Sequence, residues 1–217
     1  MTDVSLGERN SSLVDDKHTP SVPALILASA SPRRQQLLRE AGYRFVVHPA
    51  DIDEDSYPPQ MLPAEIAAHL SQEKAKVISN RFPRELVLAA DTVVAFGDQP
   101  LGKPEGPEEA RQMLSLLSGT SHIVITGVTL LRQEPIFEQT RTAMSAVRMR
   151  EMSESQIEAY VASGQWRGKA GGYGIQDDDP FVIRMSGSLT NVVGLPMEVT
   201  RQLLSEAGLL PASSVVE

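Results

Sequence analysis

The stretch Leu25-Ile26-Leu27-Ala28-Ser29-Ala30-Ser31-Pro32-Arg33-Arg34-Gln35-Gln36-Leu37-Leu38 reads as strand, turn and helix in direct succession. An apolar run stops at two small hydroxyl residues, and Pro32 then opens a helix with two arginines in its first turn. Proline is pre-set for a first helical position, and Ser31 before it is a good N-cap. A strand feeding straight into a helix is the repeating step of α/β proteins. The same step gathers unpaired amides, a helix dipole, hydroxyls and two guanidinium forks at one point, and all of these attract anions. The chain's formal net charge is -8, so this basic spot is a local device. It suits a phosphorylated small molecule.

The rest of the chain continues the alternation. Ala24 to Ala28 is the first strand, and the helix Pro32 to Glu40 stops at Gly42. Tyr43 to Val47 is a second strand, and Pro49 to Pro63 is an acidic, proline-containing loop. A helix follows from Pro63 to about Asn80, with Ile66, Leu70 and Val77 along one face. Leu86 to Phe96 is an apolar run broken only by Asp91 and Thr92. Pro107 starts a helix with Ala110, Met113, Leu114 and Leu117 at helical spacing, ending at Gly119. Ser121 to Leu131 and Ile136 to Arg148 read as two long paired strands. Ser153 to Gln156 is a capping box that opens another helix. A glycine-rich loop, Gly168 to Gly174, precedes a strand near Phe181 to Met185, and Pro196 opens the last helix, which ends at Gly208.

Residues 23–209 are expected to form one domain, with a polar N-terminal tail over 1–22 and a C-terminal tail over 210–217. That N-terminal stretch lacks the apolar centre of a secretory signal. There is no cysteine, which excludes disulfides, thiolate metal sites and cysteine nucleophiles. A pI near 5.1 and only 5% aromatic residues argue against nucleic-acid or membrane-surface binding. A cytoplasmic location is the default.

Asp91 is the best candidate for a catalytic acid or base. It interrupts an otherwise buried strand, and a lone buried carboxylate costs several kcal/mol unless it is paired or binds a metal. Lys103, in Leu101-Gly102-Lys103-Pro104, is a cation in a turn held by glycine and proline. Lys74 reads equally as a solvated helix charge. In Asp51-Ile52-Asp53-Glu54-Asp55 most acids read as solvated, and one could join Asp91 in binding Mg²⁺. Asp177-Asp178-Asp179 invites the same suggestion with less to fix it. Gln176 offers a donor and an acceptor, which suits reading a base edge. The four histidines show no ligand spacing, and no Walker loop, dinucleotide fingerprint or nucleophile elbow is present.

Ala28-Ser29-Ala30-Ser31-Pro32-Arg33-Arg34, Glu73-Lys74-Ala75, Ala90-Asp91-Thr92, Gly102-Lys103-Pro104, Gly174-Ile175-Gln176 and Val193-Gly194-Leu195-Pro196 together resemble the Maf family. The order and spacing match from about Ala24 to Gly208. The resemblance implies an elongated α/β fold with a mixed sheet, flanking helices and two lobes around a cleft, similar in shape to inosine triphosphate pyrophosphatases. It implies hydrolysis of a nucleoside triphosphate between the α- and β-phosphates, with a divalent cation such as Mg²⁺ or Mn²⁺, and a homodimer is plausible on the same ground.

By position, Asp91 matches the family's general base, with Lys103 beside it in catalysis. Ser29, Ser31, Arg34 and Lys74 fall on phosphate-handling positions, and Glu54 with Asp91 on the metal. Arg33, Thr92 and Gln176 match the combination of the dTTP/UTP subgroup, for normal or modified pyrimidine nucleotides. One departure stands out. After Gln176 the family often continues with glycine and small apolar residues, whereas this chain has Asp177-Asp178-Asp179-Pro180. The rival expectation is a non-catalytic nucleotide-binding regulator of cell division, which needs the anion site but not Asp91.

Overall fold

The computed structural model of the chain describes residues 25–178 and 181–212. The expected tail 1–22, Ala24, Asp179 and the last residues of the C-terminal tail lie outside them. The opening segment gives β1 (Leu25–Leu27) and α1 (Pro32–Glu40), followed by β2 (Phe45–Val47). Next come α2 (Pro63–Ser79), β3 (Leu86–Phe96), β4 (Gln99–Leu101) and α3 (Pro107–Leu117). β5 (Ser121–Arg132) and β6 (Phe137–Met149) are the two long strands, and α4 (Glu154–Ser163) opens on the expected capping box. A 3₁₀ turn (Ala170–Gly172) sits in the glycine-rich loop before β7 (Val182–Ser186), α5 (Leu189–Val193) and α6 (Met197–Glu206). β4 and α5 have no counterpart in the sequence reading, because three and five residues are too few for a periodicity to register.

Among the described residues seven strands form one mixed sheet in the order β2-β1-β3-β5-β6-β7, with β4 also paired to β3. β1 runs parallel to β3 and covers only Leu86–Leu88, while β4 covers only Val94–Phe96. Between those two partners, this edge of β3 has no strand beside it among the described residues. The other edge is paired to β5 without a break from Val87 to Ala95. The sheet is therefore opened locally at Ala89–Val93, and Asp91 and Thr92 sit in the opening.

Successive side chains of a strand leave on opposite faces, and β3 uses this to border two cores. Leu86, Leu88 and Ala90 pack with Leu25, Leu38, Leu203 and Leu204, whereas Val94 packs with Leu114, Met149 and Trp166. Thr92 lies on that face between the two cores. On the opposite face Val87 and Ala89 meet Ala75 and Ile78 of α2, and Val93 and Ala95 meet Ile66 and Leu70. Asp91 lies on the α2 face between those two groups.

The buried face of α2 is Ile66, Ala67, Leu70, Lys74, Ala75 and Ile78. Val77, expected on this face, is instead 37% exposed. A count of apolar residues skips the lysine, and the true row continues through Lys74 to Ile78. The helix seats unusually close to the sheet at Gly127, the register partner of Asp91. A Cβ there would lie 2.2 Å from the Ala67 carbonyl oxygen and 2.7 Å from Ala68 N. Backbone meets backbone at this point, so no side chain can swing away. Gly127→Ala is expected to cost about 1–3 kcal/mol by overpacking and to lower the thermal unfolding midpoint by several degrees. An unchanged midpoint would show that α2 is not seated by this contact.

Candidate active site

At the opened edge of β3, four charged side chains alternate in sign. Lys74, reaching in from α2, donates to Asp91 Oδ1 at 2.5 Å and to Glu54 Oε1 at 2.7 Å. Glu54 in turn accepts from Lys103, which sits on the turn after β4. Asp91 is only 5% exposed, so its carboxylate is viable as an anion because the ammonium is there. Of the acidic loop, Asp51, Asp53 and Asp55 are exposed while Glu54 turns inward. One acid joins the chain and the others are solvated.

On the opposite face of β3, Arg34 is fixed by three hydrogen bonds. Its Nε donates to Gly194 O at 2.7 Å, Nη1 to Ser29 Oγ at 3.1 Å and Nη2 to Thr92 Oγ1 at 3.1 Å. Thr92 bonds Thr126 Oγ1 at 3.0 Å, and Thr126 donates to Asn191 O at 3.2 Å. This orders one chain of donors from Arg34 to α5. Gly194 caps α5 at φ 115°, a left-handed conformation that glycine adopts without strain. A guanidinium has five N–H donors, so a fixed Arg34 still has two to offer. Ser31 caps α1 by accepting from Arg34 N at 3.4 Å, and its own N donates to Ser29 Oγ at 3.3 Å.

The two faces meet in a cleft of about 740 Å³ lined by Ser29, Ser31, Arg33, Arg34, Glu54, Lys74, Thr92 and Lys103, with Gln176 across from them. Asp91 lies behind Lys74 and is not part of that lining. Arg33 Nη2 donates to Gly168 O at 3.3 Å, joining α1 to the glycine-rich loop. The loop is held from behind, as Gly171 N donates to Gly102 O at 2.9 Å beside Lys103. It brings Lys169 and Tyr173 into the lining, two residues that the sequence reading passed over. The glycines around them were the signal, because they allow a backbone to approach a ligand closely. Tyr173 Oη meets the buried His122 Nε2 at 2.6 Å. Burial holds the His122 pKa down at about 4, so this support stays neutral near pH 7.

Electrostatics follow from these contacts. Burial pushes the Glu54 pKa up, but Lys74 and Lys103 outweigh it and bring it to about 2 from an ordinary 4.5. Burial lowers the Arg34 pKa while Asp91 and Glu54 raise it. A depressed carboxylate pKa contributes stability that is complete above the unfolded value and is lost as pH falls toward the folded one. The unfolding midpoint of the protein is therefore expected to fall more steeply between about pH 4.5 and 2 than that of Glu54→Gln. Equal slopes would contradict the pairing. The effect is modest, since Glu54 is over a third exposed and solvent screens it.

A family model described as Maf-like protein matches residues 24–207. The chain belongs to the Maf family. Maf relatives named dTTP/UTP pyrophosphatase include one from Syntrophus aciditrophicus, 46% identical over 87% of this chain and 92% of its own length. One from Brucella abortus is 47% identical over 85% and 91%, and one from Caulobacter vibrioides is 46% identical over 87% and 98%. The solved structure of the Staphylococcus aureus Ham1 protein overlaps 58% of this chain and 71% of its own, at 10% identity and a TM-score of 0.43. That overlap is too loose to bear on the site.

The Maf motifs quoted from the sequence thus converge on one cleft although they are far apart in the chain. Ser29, Ser31, Arg33 and Arg34 stand at its α1 side, Glu54, Lys74, Asp91 and Lys103 along the opened strand edge, and Gln176 on the far wall. Asp177 also lines this cleft, but its carboxylate is taken up by Tyr160 and Lys169 and forms no group with the acid pair. Among the described residues no group of three His, Cys, Asp or Glu is placed to hold a metal. Glu54 and Asp91 flank a single ammonium, and two carboxylates are the donor set that Mg²⁺ takes when phosphate oxygens and water complete its shell. The donor types fit such an ion, which would take the place that the Lys74 ammonium holds between them.

Proposed function

We propose that this Maf protein is a nucleoside triphosphate pyrophosphatase that hydrolyses dTTP and UTP to the nucleoside monophosphate and pyrophosphate. The observation that carries the reading is the Asp91–Lys74–Glu54–Lys103 chain along an opened strand edge. A binding site for phosphate needs cations only. A nearly buried carboxylate paired with Lys74 behind them adds a group that can take a proton from water. The names of the relatives, at 46–47% identity over most of the chain, support the same reaction and the same pyrimidine substrates.

In this reading the free donors of Arg34, with Ser29 and the α1 N-terminus, hold phosphate oxygens. Lys103 and Lys74 offset charge on the triphosphate and on the departing pyrophosphate. Asp91 takes the proton of the attacking water once Lys74, which stands between it and the cleft, turns to the triphosphate. Glu54 and Asp91 would hold a divalent cation, which would supply Lewis-acid charge stabilisation. Arg33, Thr92 and Gln176 select the base and sugar. A homodimer and a cytoplasmic location belong to the proposal; among the described residues no helix is long and apolar enough to cross a membrane.

The test is pyrophosphate release from a panel of triphosphates, with and without Mg²⁺ or Mn²⁺. Release from UTP and dTTP, weak or absent from GTP derivatives and dependent on the cation, is the expected result. Silence on every nucleotide would favour a binder without catalysis.

A further inference from the structure

Asp177 stands where the sequence departs from the pattern it resembles, and it is not a solvated surface acid. Its side chain is 11% exposed. The carboxylate accepts from Tyr160 Oη, from Lys169 Nζ and, at 2.9 Å, from Gly174 N. Its backbone N donates to Gly174 O at 3.1 Å. Gly174 to Asp177 is therefore a four-residue turn closed in both directions, with Ile175 and Gln176 at its centre. A Cβ on Gly174 would lie 2.8 Å from both Asp177 Oδ1 and Lys169 Nζ, so the turn closes directly onto the ion pair. Tyr160 ties the assembly to α4, where its ring is buried edge-on against Phe181 at 5.3 Å. A cleft-facing side chain on a glycine-rich loop is thus held by a carboxylate bonded to a helix.

We propose that Asp177 is a positioning residue for base recognition and acts through Gln176. This rests on the reading of the cleft as a nucleotide site. The carboxylate fixes the turn, the turn aims the Gln176 amide, and the amide reads the pyrimidine edge. An unfixed turn would spread Gln176 over several orientations, and binding would lose the hydrogen bonds that depend on one of them. The contacts that hold Arg34, Ser29 and Lys74 at the phosphate end of the cleft do not include Asp177.

The experiment is steady-state kinetics on UTP, dTTP and GTP for the full chain, with Asp177→Ala, Asp177→Asn, Gln176→Ala and the double variant Asp177→Ala/Gln176→Ala. Asp177→Ala is expected to raise KM for UTP and dTTP about tenfold, the scale of one lost hydrogen bond, with kcat nearly unchanged and GTP release as weak as in the parent. Asp177→Asn keeps an acceptor for Tyr160 and Gly174 N and is expected to recover most of the loss. The double variant should be no worse than Gln176→Ala, because coupled residues do not add. A fall in kcat shared by all nucleotides, or losses that add, would overturn the role of Asp177 while leaving the nucleotide site intact. A wild-type protein silent on every nucleotide would overturn the site reading itself and this proposal with it.

Discussion

Asp91→Asn is expected to lower pyrophosphate release by about 10²–10⁴-fold, the range a positioned general base contributes, while the protein keeps its fold. The substitution keeps the shape of the side chain and removes its charge. Asparagine has nearly the volume of aspartate and can still accept from Lys74, which donates to Asp91 Oδ1 at 2.5 Å. It cannot take a proton from water, and it is a poor ligand for a divalent cation. The loss should therefore fall on kcat. Circular dichroism and the unfolding midpoint should stay close to the parent's, since Lys74 keeps Glu54 as its anionic partner at 2.7 Å. Full turnover in this variant would remove Asp91 from the catalytic set.

Lys74→Met is expected to have the largest effect on stability, at about 3–5 kcal/mol, the range for breaking a buried ion pair from one side. Both partners in the Lys74–Asp91 pair are almost fully buried, at 6% and 7% side-chain exposure. Methionine fills the stem of the lysine but leaves Asp91 without its cation and close to a second carboxylate, Glu54. The cost comes from a stranded charge more than from a lost attraction. It follows that Asp91→Asn added to Lys74→Met should restore part of the unfolding midpoint, because the stranded charge is then gone. A double variant whose losses simply add would contradict the coupling. Activity should stay low in both.

The succession of elements was legible in the sequence because each carries a local signal. Pro32, Pro63 and Pro107 start helices where expected, and the Ser153–Gln156 box caps α4. The apolar run Leu86–Phe96 is one strand over its whole length. What the run could not convey is its partners: only pairing reveals that β1 stops at Leu88 and β4 begins at Val94. The opening between them is what makes Asp91 and Thr92 a site. The reading of Lys74 as equally a surface charge shows the same limit. A lysine on a helix looks alike whether it faces water or a buried carboxylate, and the close seat of its helix on the sheet is at Gly127, far away in the chain. Lys169, Tyr173 and the Gly194 carbonyl carry no role in the sequence reading because they act through loop geometry, which no residue type in those segments announces.

Phosphorus NMR of the products formed from UTP and dTTP by the wild-type protein, with Mg²⁺ present, shows which phosphoanhydride bond is cut and whether Asp91 is needed to cut it. Equal amounts of nucleoside monophosphate and pyrophosphate, absent when Asp91→Asn replaces the wild type, are the predicted result. Nucleoside diphosphate with orthophosphate, or the same products at the same rate from Asp91→Asn, would contradict it.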